Sequence, residues 1–161
     1  MTTPEVRPVE PADVDEVIAL VREVLGEFGI AFGVGASTDT QLYALPRSYT
    51  DSGGVFFAAR LGGALVGTAG LFPVPGGGLE LRKMYLLPAA RGQRVGWALW
   101  EACLAFARAR GARRIVLDTT EQMQAAIRFY ERLGFVRDDA QITAPRCSRG
   151  SRLELGEPRT V

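Results

Sequence analysis

Met84-Tyr85-Leu86-Leu87-Pro88-Ala89-Ala90-Arg91-Gly92-Gln93-Arg94-Val95-Gly96 is the stretch that decides how this chain reads. From Leu79 to Leu87 the residues alternate as in a strand. Leu81, Lys83 and Tyr85 are expected on one face, and Glu80, Arg82, Met84 and Leu86 on the other. Pro88 ends the strand. From Val95 the apolar residues Val95, Leu99, Ala102, Cys103 and Phe106 recur at helical spacing, and Gly111 closes the helix. A basic, glycine-bearing turn therefore joins a strand to a helix N-terminus. Helix starts leave N–H groups unpaired and carry partial positive charge, so such a turn can hold phosphate oxygens. Gly92 and Gly96 keep side chains out of the way, while Arg91 and Arg94 add charge.

Upstream, Val55 to Leu61 and Ala64 to Phe72 read as strands joined by Gly62-Gly63, a hairpin signal. Val14, Val17, Ile18, Val21, Val24 and Leu25 mark an amphipathic helix opened by Pro11 and stopped near Gly26. Residues 27 to 50 carry weaker signals: a loop over Gly29 to Gly35, then a candidate short helix capped by Asp39 and ending near Pro46. Downstream, Arg114 to Asp118 is a short buried strand and Met123 to Leu133 a helix ended by Gly134. Phe135 to Arg137 and Ser151 to Leu155 are expected as final strands. Meandering strands followed by a βαβ unit predict a mixed α/β sheet with helices on both faces.

The chain has 161 residues, enough for one domain with a full core, and is expected to be a single domain over 1–161. A formal net charge of +1 gives no general pull toward nucleic acid or membrane. Met1 to Glu10 holds no apolar run of signal-peptide type, and no stretch reaches membrane-span length, so a cytoplasmic protein is expected. Cys103 and Cys147 are too far apart in sequence for a short-spaced metal or redox pair, and Cys103 falls on an apolar helix face. The chain has no histidine. That removes the commonest general base, the Ser-His and Cys-His nucleophile systems and most zinc sites, so no metal is expected. A Rossmann site is excluded as well, because no Gly-x-Gly-x-x-Gly occurs and the turn follows the third predicted strand, not the first.

A second motif follows in order: Ala126-Ile127-Arg128-Phe129-Tyr130-Glu131-Arg132-Leu133-Gly134-Phe135. With the Pro88 to Gly96 turn before it, the region Val55 to Phe135 resembles the GNAT superfamily of acyl-CoA-dependent N-acetyltransferases. The resemblance implies a GNAT-like, mostly antiparallel central sheet and acetyl-CoA as the acyl donor. In that family an Arg/Gln-x-x-Gly-x-Gly/Ala turn holds the coenzyme A pyrophosphate on its amides. Arg91 and Gly96 match its ends, with Gly92, Gln93, Arg94 and Val95 between them. Arg94 stands where the family usually has its middle glycine, so the amide cradle is expected to persist where the backbone avoids positive φ. Met123 occupies a position that is often asparagine.

The resemblance also implies roles for single residues. Tyr130 would protonate the departing thiolate, and Glu80 would deprotonate the acceptor amine through water, as a strand glutamate does in some relatives. The main chain around Met84, Tyr85 and Leu86 would pair with the pantetheine arm, and the neighbouring strand ending at Asp118-Thr119 would splay away. Thr119 and Arg128 complete the expected coenzyme contacts. The acceptor would be an amine of a small molecule or peptide, shaped by residues 27 to 50 and by Ala140 to Gly150, with Asp39, Tyr43, Arg47 and Tyr49 as candidate lining. A homodimer is common among relatives. The alternative reading is a non-catalytic acyl-CoA-binding or regulatory module on the same fold.

Overall fold

Two apolar layers, one on each face of a single sheet, organise the protein. The computed structural model describes residues 2–156. Seven strands run in the order β1-β2-β3-β4-β5-β7-β6: β1 Glu5–Pro8, β2 Val55–Leu61, β3 Ala64–Val74, β4 Gly78–Leu86, β5 Arg114–Thr119, β6 Val136–Arg137 and β7 Arg149–Glu154. All pairings are antiparallel except β4 with β5. The helices are α1 Val14–Glu27, α2 Arg47–Thr50, α3 Val95–Ala109 and α4 Gln124–Leu133.

Strand β2 shows why both layers exist. Phe56 and Ala58 face one side and pack with Val17, Val21, Val24 and Leu25 of α1. Val55, Phe57 and Ala59 face the other and pack with Leu99, Trp100, Cys103 and Ala107 of α3. A strand covered on both faces reads as a continuous apolar run, as Val55 to Ala59 does. The β2–β3 hairpin turns at Gly62 (φ 57°) and Gly63 (φ 85°), a pair of positive φ values that glycine supplies without steric cost.

Three expectations need correction. Strand β1 was not read in the sequence, because four residues bounded by prolines at 4 and 8 give little periodic signal. It forms an edge strand on β2, where Pro8 costs no interior ladder bond, and the phosphate-type turn therefore follows the fourth strand. Residues 37 to 50 form a 3-10 helix, Ser37–Ala44, and the single turn α2. Asp39 lies inside that 3-10 helix, whose N-cap is Ala36, and is fully buried. Finally, β7 begins at Arg149 and inserts between β5 and β6.

Candidate active site

The strict alternation expected along β4 breaks at Lys83. Thr68 pairs with Tyr85 but Gly70 pairs with Arg82, so Lys83 and Met84 together oppose Ala69 as a β-bulge. Lys83 takes φ 55°, and Thr68 Oγ1 donates 2.7 Å to the Lys83 carbonyl, holding the bulge from inside the sheet. The bulge inverts the faces. Leu79 and Leu81 pack on the α3 side before it, Met84 and Leu86 do so after it, and Tyr85 and Leu87 turn to the α1 side. Lys83 and Tyr85 thus do not share a face with Leu81.

The bulge also frees one edge of β4. Pairing with β5 is limited to Leu79–Ile115 and Glu80–Val116, although β4 continues to Leu86 and β5 to Thr119. Between the diverging strands opens a cleft that encloses, with the solvent at its mouth, about 680 Å³. Glu80, Met84, Tyr85, Thr119 and Tyr130 all line it. Of the sequence-predicted residues of β4, β5 and α4, these five therefore converge on one space, while Leu86 and Arg128 do not line it.

Tyr130 is nearly buried, with its ring centroid 6.1 Å from Phe129 and 5.8 Å from Phe135. Burial, reinforced by nearby Tyr85 and Cys103, holds its hydroxyl well above the ordinary phenol value, so it stays protonated. Glu80 is buried and ion-paired: Arg82 Nε donates to Oε1, and Thr143 Oγ1 donates to Oε2 at 3.5 Å. Arg82 also lies 4.2 Å over the Phe72 ring and donates to Gln41. Thr119 is buried at the end of β5 and donates to the Met123 sulfur at 3.7 Å. Met123 thus fills the helix start with an apolar chain and adds no donor of its own.

The turn after β4 forms an amide cradle. Among the described residues, the backbone N–H groups of Gly92, Arg94, Val95, Gly96 and Trp97 make no hydrogen bond within the protein. Four of them are the unpaired donors that open α3. The backbone does not avoid positive φ at Arg94, as the sequence reading required. Arg94 adopts φ 64° and ψ 10°, the conformation that glycine would take there. The cradle is kept because the arginine accepts the left-handed geometry. Arg91, expected to supply charge to the turn, instead forms a two-pronged pair with Glu27 at 2.8 Å and donates to the Leu86 carbonyl at 3.0 Å. Gln93 donates to the Ala89 carbonyl, and Val95 is buried beneath the turn. Trp97 is 47% exposed beside the cradle, edge-on to Phe129. Arg128 is exposed on α4.

One cluster was not legible in the sequence. Asp39 accepts from Lys83 Nζ, from Arg146 at 2.6 and 3.0 Å, and from the Gly33 N–H at 2.8 Å. Burial opposes its ionisation, but the hydrogen bonds from Arg146 and Lys83 overcome that and hold its carboxyl below the ordinary value. The same burial lowers Lys83. Asp118 accepts from Thr143 N (2.7 Å), Thr143 Oγ1 (3.2 Å) and Ala144 N (2.9 Å). Together these bonds bring residues 33 to 39 and 143 to 147 against β4 as the second wall of the cleft. Of the other candidate lining residues, Tyr49 is fully buried while Tyr43 and Arg47 are exposed.

Residues 20–135 match the acetyltransferase (GNAT) family. This chain is a GNAT-family acetyltransferase. Its relatives include the N-acetyltransferase YjgM of Escherichia coli K12, 32% identical over 141 residues, covering 85% of this chain and 84% of the relative. The fission-yeast N-acetyltransferase C1271.07c is 31% identical over 127 residues, covering 78% and 77%. Among solved structures, a GNAT acetyltransferase from Staphylococcus aureus Mu50 superposes with TM-score 0.86 at 20% identity, over 95% of this chain and 99% of that one. The PaiA N-acetyltransferase of Thermoplasma acidophilum, solved in complex with coenzyme A, superposes with TM-score 0.76 at 19% identity, over 94% and 99%. The mixed sheet of this acetyltransferase is thus the GNAT sheet. Among its described residues, no helix is long and apolar enough to cross a membrane and no group of three or more His, Cys, Asp or Glu could hold a metal ion.

Proposed function

We propose that this GNAT acetyltransferase moves an acetyl group from acetyl-CoA to an amine by direct attack inside the β4–β5 cleft, in the cytoplasm. The observation that carries the reading is the junction of two features. The unpaired amides of Gly92 and of Arg94 to Trp97 stand at the end of strand β4, whose β5-side edge lacks a partner beyond Glu80. The amides suit a pyrophosphate, and the open strand edge suits the amide-bearing arm that follows it. Acetyl-CoA supplies the thioester that the amine attacks.

The chain's own residues then have separate tasks. The amine nitrogen forms a bond to the acetyl carbon as the carbon–sulfur bond breaks, and strand N–H groups of β4 stabilise the oxyanion. Tyr130, kept protonated by burial, gives its proton to the leaving thiolate. Glu80, through water, takes the proton that the ammonium must shed before attack. Its ion pair with Arg82 fixes the carboxylate in place at the cleft wall.

Thiol release from acetyl-CoA is the test, measured with amino acids, polyamines, aminoglycosides and peptide N-termini as acceptors. Amine-dependent release from the wild type is expected, with the acetylated amine found by mass spectrometry. A protein that binds coenzyme A but releases thiol with none of them refutes the proposal.

A further inference from the structure

The cleft wall around Glu80 and Asp39 holds two ion pairs stacked in the same sense. In each, the carboxylate lies beneath and the guanidinium on top. Glu80 is 6% exposed against 16% for Arg82, and Asp39 is 0% exposed against 13% for Arg146. Asp118, the third carboxylate of the cleft, is engaged by the Thr143 and Ala144 donors. A ligand entering the cleft therefore meets guanidinium groups whose counter-charges are already covered by protein. Both retain donor capacity: Nε of Arg146 and Nη2 of Arg82 make no hydrogen bond among the described residues. The Tyr85 hydroxyl lies close to Arg146, and burial holds it well above the ordinary phenol value, so it stays a neutral donor.

From this layering we infer that the acceptor amine carries an acid group, a carboxylate or phosphonate close to its nitrogen, which Arg146 and Arg82 hold while the amine turns to Glu80 and the thioester. The inference rests on the acetyl-transfer reading above and narrows it. Fork-shaped guanidinium groups match a planar or tetrahedral oxyanion with paired hydrogen bonds. An amine with no acid group would leave both guanidiniums facing an emptied, partly desolvated cleft, which is how a polar site rejects an analogue lacking the group it was built to bind.

The test compares acceptors that differ only in the acid group: an amino acid, its amide, its decarboxylated amine and its aminophosphonate counterpart, for small, apolar, acidic and basic side chains. Thiol release is followed at equal concentrations of free amine. In the best series, the acid-bearing member is expected to exceed its amide and its decarboxylated amine by about tenfold or more in kcat/KM. The carboxylate and phosphonate arms tell which acid the site prefers. Arg146→Gln should shrink that ratio to about threefold or less by raising KM for the acid-bearing member alone, whereas a purely structural loss would slow every acceptor alike. Should Arg146→Gln fail to fold, the wild-type ratio still decides. A wild-type ratio of one or below, with thiol release intact, overturns the inference and leaves acetyl transfer standing. No thiol release with any amine overturns both.

Discussion

At the residue scale, the family signature is decided by backbone conformation more than by side-chain type. Arg94 replaces the middle glycine of the turn yet adopts φ 64°, so the left-handed geometry belongs to the loop. A non-glycine residue pays about 1–2 kcal/mol for that geometry. Arg94→Gly should therefore raise stability, by about 0.5 kcal/mol after the extra unfolded-state entropy of glycine is allowed for. Arg94→Val, with a β-branched chain, should lower it by more than about 1 kcal/mol. Urea unfolding of the two variants measures both. A destabilised Arg94→Gly would mean that the arginine side chain stabilises the turn by contacts that outweigh its strain. Tyr130 poses the matching chemical question. Tyr130→Phe keeps the ring packing against Phe129 and Phe135 and removes only the hydroxyl. It should lower kcat by about 10²-fold with acetyl-CoA binding nearly unchanged. Turnover within about twofold of wild type would make Tyr130 a packing residue. Both positions were singled out in the sequence because each sits in a short local motif, but the left-handed backbone at Arg94 was not foreseen. Asp39 was not, since its partner Arg146 lies 107 positions away and no local pattern announces such a pair.

At the element scale, the sequence was readable wherever one periodicity held over a whole segment. The β2–β3 hairpin, α3, β5 and α4 follow from apolar spacing closed by glycine or proline. The reading failed where an element is irregular. Strand β1 is a four-residue edge, the segment from residue 37 to 44 is a 3-10 helix, and β4 contains a bulge that moves every later side chain to the opposite face. The bulge is functionally the most important of the three, because it separates β4 from β5 and turns Lys83 toward Asp39. Its internal support is the buried bond from Thr68 Oγ1 to the Lys83 carbonyl. Thr68→Val preserves shape and leaves that carbonyl without its donor, which should cost about 1–3 kcal/mol in urea unfolding. Thr68→Ser keeps the hydroxyl and should restore most of that stability. Equal stability of the valine and serine variants would show that the bulge is held by backbone pairing alone.

At the scale of the whole molecule, the order of elements was enough to foresee a mixed sheet with helices on both faces, but not the wall that closes the cleft. That wall consists of segments without regular periodicity, joined to β4 through the fully buried Asp39 with Lys83 and Arg146. Asp39 is therefore the residue through which pH should act on the entire fold. Its folded-state carboxyl titrates below its ordinary value of 3.8, so its contribution to stability is fully present above that value. The contribution is lost as pH falls through the lower, folded value. Asp39→Asn would leave Lys83 and Arg146 without their shared counter-charge, at a cost of about 3–5 kcal/mol. Near neutrality this should separate the melting temperatures of wild type and variant by a wide and constant interval. Below about pH 4 the unfolded wild type takes up a proton at Asp39 that the folded protein accepts only at its lower value, so the two melting curves should draw together as pH falls. Other carboxylates titrate in both proteins, so the difference between the curves isolates Asp39. Melting followed by circular dichroism from pH 3 to pH 7 reads it directly. An interval that stays constant down to pH 3 would show that Asp39 is not the group that couples this wall to protons.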